Sequence, residues 1–458
     1  MTFVRRPAHP PVLLAALGLL AAGALLAGAP AALRAQRGPA AGDAPNAAAP
    51  TLDQRLAAVA PKVVAWRRDL HQHPELSNQE TRTSALVAAH LRALGLETRT
   101  DVGGHGVIGV LRGGRPGKTV ALRADMDALP VSEQVDLPFK STARTTYNGQ
   151  DVGVMHACGH DLHTAMLMGA AEVLAGMKAE LPGTVVFLFQ PNEEGDPGKP
   201  SGAKAMLAAG AMGGALKPDA VFGLHVGITP AEAGHLTYRP NGFMAAADFF
   251  RVVVRGRQTH GSTPWAGVDP VVAASYAVTA LQTLVSRQLN LTVGPAVVTV
   301  GALNAGVRNN IIPDSAVLLG TLRTFDPGMR RELHGRLRRT VDLAVQAQGA
   351  TASIDIQEMT PVTANDPALT ARMAATLRRV AGPAGAGEGP PVTGSEDFGY
   401  FAEQAPGLFV FLGVRPKGSP DSAFVSNHSP KFFADEGALP VGTRALVELA
   451  ADFLAGPR

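Results

Sequence analysis

The sequence predicts an α/β protein with a central sheet covered by helices and an inserted β-α-β-β-α-β unit. Three observations carry this. The chain has 458 residues, too many for one hydrophobic core. Short, continuously apolar runs alternate with stretches of helical periodicity. One internal segment then changes character and follows the element order of a ferredoxin-like fold.

Helical periodicity runs over 52–70 and again over 79–94. The apolar runs "GVIGVL" (106–111), "TVALRADM" (119–126), "TVVFLFQ" (184–190) and "AVFGLHV" (220–226) follow, with helical stretches at 161–179 and 201–210. Strands without polar alternation, spaced by helices, imply a sheet covered on both faces. The change comes near residue 245. A strand at 247–256 leads to a helix from Asp269 to about Arg287, strands at 296–302 and 315–324, a helix at 328–348 and a strand at 351–358. After it the helix–strand style of the first part resumes. The expected division is 52–244 and 361–458 for the main domain and 245–360 for the insert.

The chain is 46% hydrophobic and 17% charged, which suits a packed core rather than disorder. Its net charge is +3, and the basic residues are dispersed without interleaved aromatics. No nucleic-acid partner is expected. The first 35 residues differ: Arg5 and Arg6 precede "PVLLAALGLLAAGALLAGA", and small residues follow. This is the pattern of a secretory signal, with cleavage after Ala31 or Ala35. The alternative is an anchor that is never cut, because the run nearly spans a bilayer. Residues 36–50 are a low-complexity linker. The mature protein is expected to be exported, periplasmic or secreted, and free of the membrane. Export favours disulfides, yet Cys158 is the sole cysteine and cannot form an internal one. It is an inert buried residue, a nucleophile or a metal ligand.

Chemistry concentrates around that cysteine, in "MHACGHDLHTAM" (155–166). If 155–160 is extended, His156, Cys158 and His160 share one side. Asp161 then makes an N-cap for the following helix, and His163 falls in its first turn. A thiolate and an imidazole at such a turn suit a borderline-soft cation such as zinc; His156 and His163 read better as supporting residues than as ligands. In "FQPNEEG" (189–195), Glu193 and Glu194 end an apolar strand and point to different sides. One can bind metal while its neighbour holds a water, the arrangement of metal-assisted hydrolysis. His225 ends another buried strand and His428 sits in the loop "NHSP". With Cys158, His160 and Glu194 they make five donors, enough for one closed site or a shared two-metal site. Asp125 and Asp127, in "RADMDALP", read equally as support for a metal-bound histidine or as turn residues.

Several motifs occur together in one order: "RRDLHQHPELSNQE" (67–80), "RADMDALPVSE" (123–133), "MHACGHD" (155–161), "FQPNEEG" (189–195) and "GVDP" (267–270). "NNIIPDSAVLLGTLRTF" (309–325), "GSEDFGYF" (394–401) and "NHSPKFF" (427–433) complete the set. From about Leu52 onward the chain resembles the metal-dependent amidohydrolases that include aminoacylases, hippurate hydrolase and plant indole-acetyl-amino-acid hydrolases. These are related to carboxypeptidase-like di-metal peptidases. The resemblance implies a catalytic domain with a central mixed sheet, and an insert that serves as lid and dimerisation domain of a homodimer. It implies Cys158, His160, Glu194, His225 and His428 as ligands of two divalent ions, zinc first, with manganese, cobalt or nickel admitted. It implies Glu193 as general base, and His260 as a residue that stabilises the tetrahedral intermediate, often in the partner subunit's site. Asn309 and the backbone around Gly394 become substrate-carboxylate contacts. The implied reaction is hydrolysis of the amide bond of an N-acyl or N-aroyl amino acid, or of a short peptide with a free carboxylate. A dipeptidase or lactonase on the same metal site is the alternative.

Three departures bear on substrate choice. Trp265 stands where relatives often carry His, Asn192 where Ala is common, and "DPGKPSG" (196–202) where a Gly-rich run is usual. A Cys158 nucleophile would leave Glu193, Glu194, His225 and His428 without a role. A binding protein that has lost its chemistry would be expected to lack a ligand or the base.

Overall fold

The computed structural model describes residues 49–456. The signal read over 1–35 and nearly all of the linker lie outside them. Among the described residues no helix is long and apolar enough to cross a membrane.

The first region runs α1 (Leu52–Gln72), α2 (Thr81–Ala93), β1 (Glu97–Arg99), β2 (Val107–Arg112), β3 (Arg115–Asp125), β4 (Arg144–Tyr147) and β5 (Gln150–Gly153). It continues with α3 (His160–Gly176), β6 (Pro182–Gln190), α4 (Gly202–Ala208), β7 (Ala220–Val226), β8 (Leu236–Tyr238) and β9 (Asn241–Met244). The middle region comprises β10 (Ala246–Arg255), β11 (Thr259–His260), α5 (Pro270–Thr283), β12 (Ala296–Ala305), β13 (Ile311–Ile312), β14 (Ser315–Thr324), α6 (Pro327–Gln346) and β15 (Thr351–Thr360). The chain closes with β16 (Thr363–Asn365), α7 (Pro367–Ala381), β17 (Ala386–Glu388), α8 (Phe398–Ala402), β18 (Gly407–Leu412) and α9 (Leu439–Ala455).

The main sheet has eight strands in the order β1-β2-β6-β3-β7-β18-β8-β17. Its centre is parallel: β3 pairs in parallel with both β6 and β7, and β18 with β7. Antiparallel pairings of β2 and β8 make it mixed. All seven residues of β7 are buried, as expected of a strand covered on both faces. One face packs Phe187, Phe189 and Phe222 among α3 and α9 residues; the other packs Phe243, Phe398, Phe409 and Phe411. Helix α1 starts at a capping box: Gln54 N–H donates to Thr51 Oγ1, and Thr51 N–H donates to Gln54 Oε1 at 2.8 Å. Helix α3 is apolar nearly all round and lies against α1, α9 and β3.

The middle region forms a separate antiparallel sheet, β12-β14-β10-β15. Helices α5 and α6 are capped by Asp269 and Asp326, with proline at the first turn of each. They cover one face, burying Leu281, Leu333, Leu337 and Val341 against Val252 and Val254. The order is β-α-β-β-α-β, as the hydrophobic patterning predicts. The chain's two crossings between the sheets pair with each other as β9 and β16.

Candidate metal centre

Strands β6, β3 and β7 are parallel neighbours, so their carboxyl ends open on one side, where ligands gather in open α/β sheets. Asp125 ends β3, Glu193 and Glu194 follow β6, and His225 is the penultimate residue of β7. Cys158 and His160 reach the same place through a turn that only glycine fits. Gly159 has φ +89°, and a Cβ there would lie 2.3 Å from Val226 Cγ2. Gly159, not Asp161, is the N-cap of α3. That corrects the reading of 155–160 as a strand capped by Asp161: the left-handed glycine ends the extended backbone before the helix begins. Asp161 instead sits in the helix's first turn, 3.0 Å from Arg67 Nε and 2.8 Å from His71 Nδ1. His156 does not join its neighbours either. It is buried, with neither ring nitrogen hydrogen-bonded, near Asp161 and His71.

Five donors converge. Cys158, His160 and His225 each offer an atom within 4.8 Å of the others, and so do Cys158, Glu194 and His428. Cys158 belongs to both sets. Its Sγ is 3.5 Å from His225 Nε2, and His428 Nε2 is 3.1 Å from Glu194 Oε1. The fit to a cation is visible in the rings. His225 Nδ1 faces the Val226 carbonyl at 2.9 Å and donates to it, which leaves its Nε2 lone pair towards Cys158. His160 Nδ1 faces Asp127 at 3.2 Å, while its Nε2 is buried without a hydrogen bond and lies 3.9 Å from Glu194. Burial works against charge on His160, but Asp125 and Asp127 outweigh it and push the ring up to about 10. Burial, then Glu194 and Glu193, pushes the Cys158 thiol well up. A buried thiol in that state is inert as a nucleophile and becomes a thiolate only beside a cation.

The surrounding residues fix the donors. Asp127 accepts from Ser77 Oγ at 2.6 Å and from the Glu194 N–H at 3.0 Å, besides holding His160. Of the two readings of Asp125 and Asp127, support for histidine has the geometry. His163 Nε2 accepts the Val226 N–H at 2.9 Å, so its Nδ1 donates to Asp125 at 2.5 Å and no lone pair is left for a metal. Glu80, fully buried, accepts the N–H groups of Asn78 and Asn192, each at 2.9 Å. Asn192 is thereby held at φ 54°, a left-handed bend that swings Glu193 and Glu194 off the end of β6. Removing an outer carboxylate of this kind typically weakens metal binding by about 10–100-fold. Asp127→Ala is expected to do so, read by competition with a chromophoric chelator; unchanged affinity would remove Asp127 from the centre.

Glu193 is mostly buried, and one carboxylate oxygen lies 4.0 Å from His160 Nε2. Beneath it runs an ionic network. Arg123 Nη1 donates to Asp125 at 2.6 Å, and its Nη2 to Glu396 at 2.8 Å and Asp397 at 3.0 Å, all fully buried. Burial, then Glu396 and Glu194, raises the Glu193 carboxyl well above the usual range, the direction a proton-accepting base requires. Sequence reasoning missed Glu80, Arg123, Glu396 and Asp397, although each lies inside a motif quoted above.

A cavity of about 750 Å³ opens over the donors. The main domain supplies Cys158, Glu193, Glu194, His225 and His428, and the second, antiparallel sheet supplies Ala247, Phe249, Arg323 and Glu358. Gly394 lines it, as do Asp196 to Ser201 of the departing "DPGKPSG" segment. Arg323, also missed, presents a buried Nη1 with no hydrogen-bond partner. His260 and Asn309 are not among its lining residues. His260 is exposed on β11, its Nδ1 accepting the Ser262 N–H at 3.0 Å, and Asn309 is exposed just before β13. Trp265, in the short turn after β11, is 80% exposed.

Residues 121–452 match the family described as peptidase family M20/M25/M40. Thermostable carboxypeptidase 2 of Saccharolobus solfataricus is 40% identical over 85% of this chain and 95% of its own length. N-acetyl-L-cysteine deacetylase of Bacillus subtilis is 36% identical over 87% and 90%. Among solved structures, the Bacillus subtilis YXEP protein, a dinuclear metal binding peptidase from the M20 family, superposes with a TM-score of 0.73 at 33% identity. That match covers 87% of this chain and 99% of the other. The converging donors, the mixed sheet that carries them and these likenesses place the chain in the peptidase M20/M25/M40 family of metal-dependent hydrolases.

Proposed function

We infer that this chain hydrolyses the amide bond of N-acyl or N-aroyl amino acids, or of short peptides with a free carboxylate. The observation that carries the reading is the convergence of five donors beside a mostly buried carboxylate, Glu193, that is not needed as a sixth. The carboxypeptidase and deacetylase among the relatives support it. Cys158, His160 and His225 would hold one divalent ion, and Cys158, Glu194 and His428 a second. When bound, the ions supply Lewis-acid charge that polarises a carbonyl and eases deprotonation of water. The shared thiolate favours zinc; the mixed donor set also admits manganese, cobalt or nickel.

The chain's own residues do the rest. Glu193 takes a proton from the attacking water and returns it to the departing amine. The Arg123 network, with Glu396 against it, fixes Glu193 from below. Arg323 pairs with the carboxylate of the amino-acid half, with Gly394 as a further contact; Asn309, exposed outside this cleft, would reach a substrate only from a second subunit. The exposed edge bearing His260 would meet the cleft of a second subunit in a homodimer formed through the lid. No donor or base is missing, which counts against a binding protein without activity. Export through residues 1–35 belongs to the same proposal and rests on the charged start and apolar run alone.

An ion pair from a guanidinium to a carboxylate at a desolvated site is worth roughly 1.5–3 kcal/mol, or about 10–100-fold. Arg323→Ala is therefore expected to raise KM for an N-acyl amino acid by about that factor. The matching N-acyl amino amide should be nearly indifferent to it. Equal effects on both substrates would remove Arg323 from carboxylate recognition.

A further inference from the structure

We propose that the open face of the second sheet is an encounter surface for carboxylate-bearing substrates, on which Arg251 and Arg255 gather anions beside Arg323. The proposal rests on the amide-hydrolase reading above.

Strand parity fixes the face. Phe250, Val252 and Val254 of β10 turn inward against α5 and α6. Phe249, Arg251 and Arg255 turn the other way and are exposed. On β14, Leu318 and Leu322 are buried against the same helices, so Leu319, Thr321 and Arg323 share the outward face. In register, Arg323 stands opposite Ala247, Thr321 opposite Phe249 and Leu319 opposite Arg251. Arg323 and Ala247 wall the metal cleft. The next outward pairs along the strands wall a groove of about 420 Å³, and Phe249 belongs to both. The groove therefore starts at the outward pair next to Arg323. Strands rise about 3.3 Å per residue, which puts Arg251 roughly 13 Å along β10 from Ala247, and Arg255 as far again.

The outward side of β10 and β14 carries three arginines and no carboxylate. Among the described residues, neither Arg251 nor Arg255 has an ion-pair or hydrogen-bond partner for its guanidinium. Asp355 stands opposite Arg251 on β15, but Gln357 Nε2 donates to it at 3.3 Å. Glu358, at the cleft end, lies 3.5 Å from Arg330 of α6. The face is thus a run of free cations that ends at Arg323. The cleft holds Glu193, Glu358 and Glu396 besides the donors, so a carboxylate gains from cations along its approach. Phe249 and Leu319, 45% and 42% exposed beside Arg251, give the apolar body of the substrate a surface to rest on. Charge and continuity with the cleft both fit an anionic organic substrate.

The test uses the metal-loaded full chain and a double variant, Arg251→Gln with Arg255→Gln. The kcat/KM for an N-acetyl amino acid and for its amide is followed from about 0.02 to 0.3 M salt, as screening tightens. The wild type should lose about five-fold on the acid over that range and little on the amide. The glutamine variant should start about three-fold or more below wild type on the acid at low salt, with a flatter slope. Arg251→Lys with Arg255→Lys keeps the charge and should restore both. Binding of dansyl-tri-D-aspartate, followed by anisotropy, reads the surface without turnover and should weaken in the glutamine variant. An unchanged salt slope in that variant, an equal loss on acid and amide, or unchanged probe binding would overturn the surface. So would a shift in oligomeric state by sedimentation with the acid's salt slope intact, which would mark the face as covered by a second copy. Failure to cleave either substrate would overturn the amide-hydrolase reading, while the probe contrast still decides the surface.

Discussion

Glu193→Gln is expected to lower kcat by about 10³-fold, with bound metal and KM close to wild type. The amide has the shape of the carboxylate but cannot accept a proton. The geometry separates Glu193 from its neighbour. Glu194 lies 3.1 Å from His428 Nε2 and donates its own N–H to Asp127, so it belongs to the donor set. Glu193 stands over the Arg123 network, where Glu396 and Asp397 come within 4.8 Å of it. Glu194→Gln should therefore fail differently, losing metal as well as turnover. Steady-state kinetics with metal analysis on the two variants reads the difference. A Glu193→Gln enzyme within about ten-fold of wild type would place the base elsewhere.

Cys158→Ala is expected to remove most of the bound metal and all measurable turnover. Cys158 is the donor common to both three-residue sets, so its loss opens both at once. It is also buried, and a bound ion would tie the turn before α3 to β7 and to the His428 loop. His428 N–H donates to the Ala157 carbonyl at 2.8 Å, and Asn427 Nδ2 to the Cys158 carbonyl at 3.0 Å. Ions that bind only the folded chain raise its stability, so the variant should melt earlier than metal-loaded wild type. Full metal content without turnover would instead mark Cys158 as a nucleophile.

The buried strands were legible because β6 and β7 carry apolar runs (VVFLF and AVFGL) that suit a doubly covered sheet. The second sheet and its helices were legible because α5 and α6 are long and periodic between alternating strands. Cys158 and His160 were legible because they are neighbours in sequence. What escaped notice depends on distant partners or on what is missing around a group. Arg123 is matched by Glu396 and Asp397, more than 270 residues further on. Arg323 stands out only because no acceptor faces its Nη1. Asp161 looked like a cap because its residue type suits one, whereas the tight approach of Val226 gives that position to Gly159. The β4–β5 hairpin escaped because its sequence, "RTTYNGQDVG", is polar and joins no sheet with an apolar pattern.

The central claim is that turnover depends on cations held at the Cys158 centre. The most direct test is metal content and turnover of an N-acyl amino acid on one preparation, before chelation, after it, and during titration with zinc or manganese. Turnover should vanish with the metal and return in proportion to ions rebound, levelling off near two per chain. Turnover that persists after the last ion is removed would contradict it.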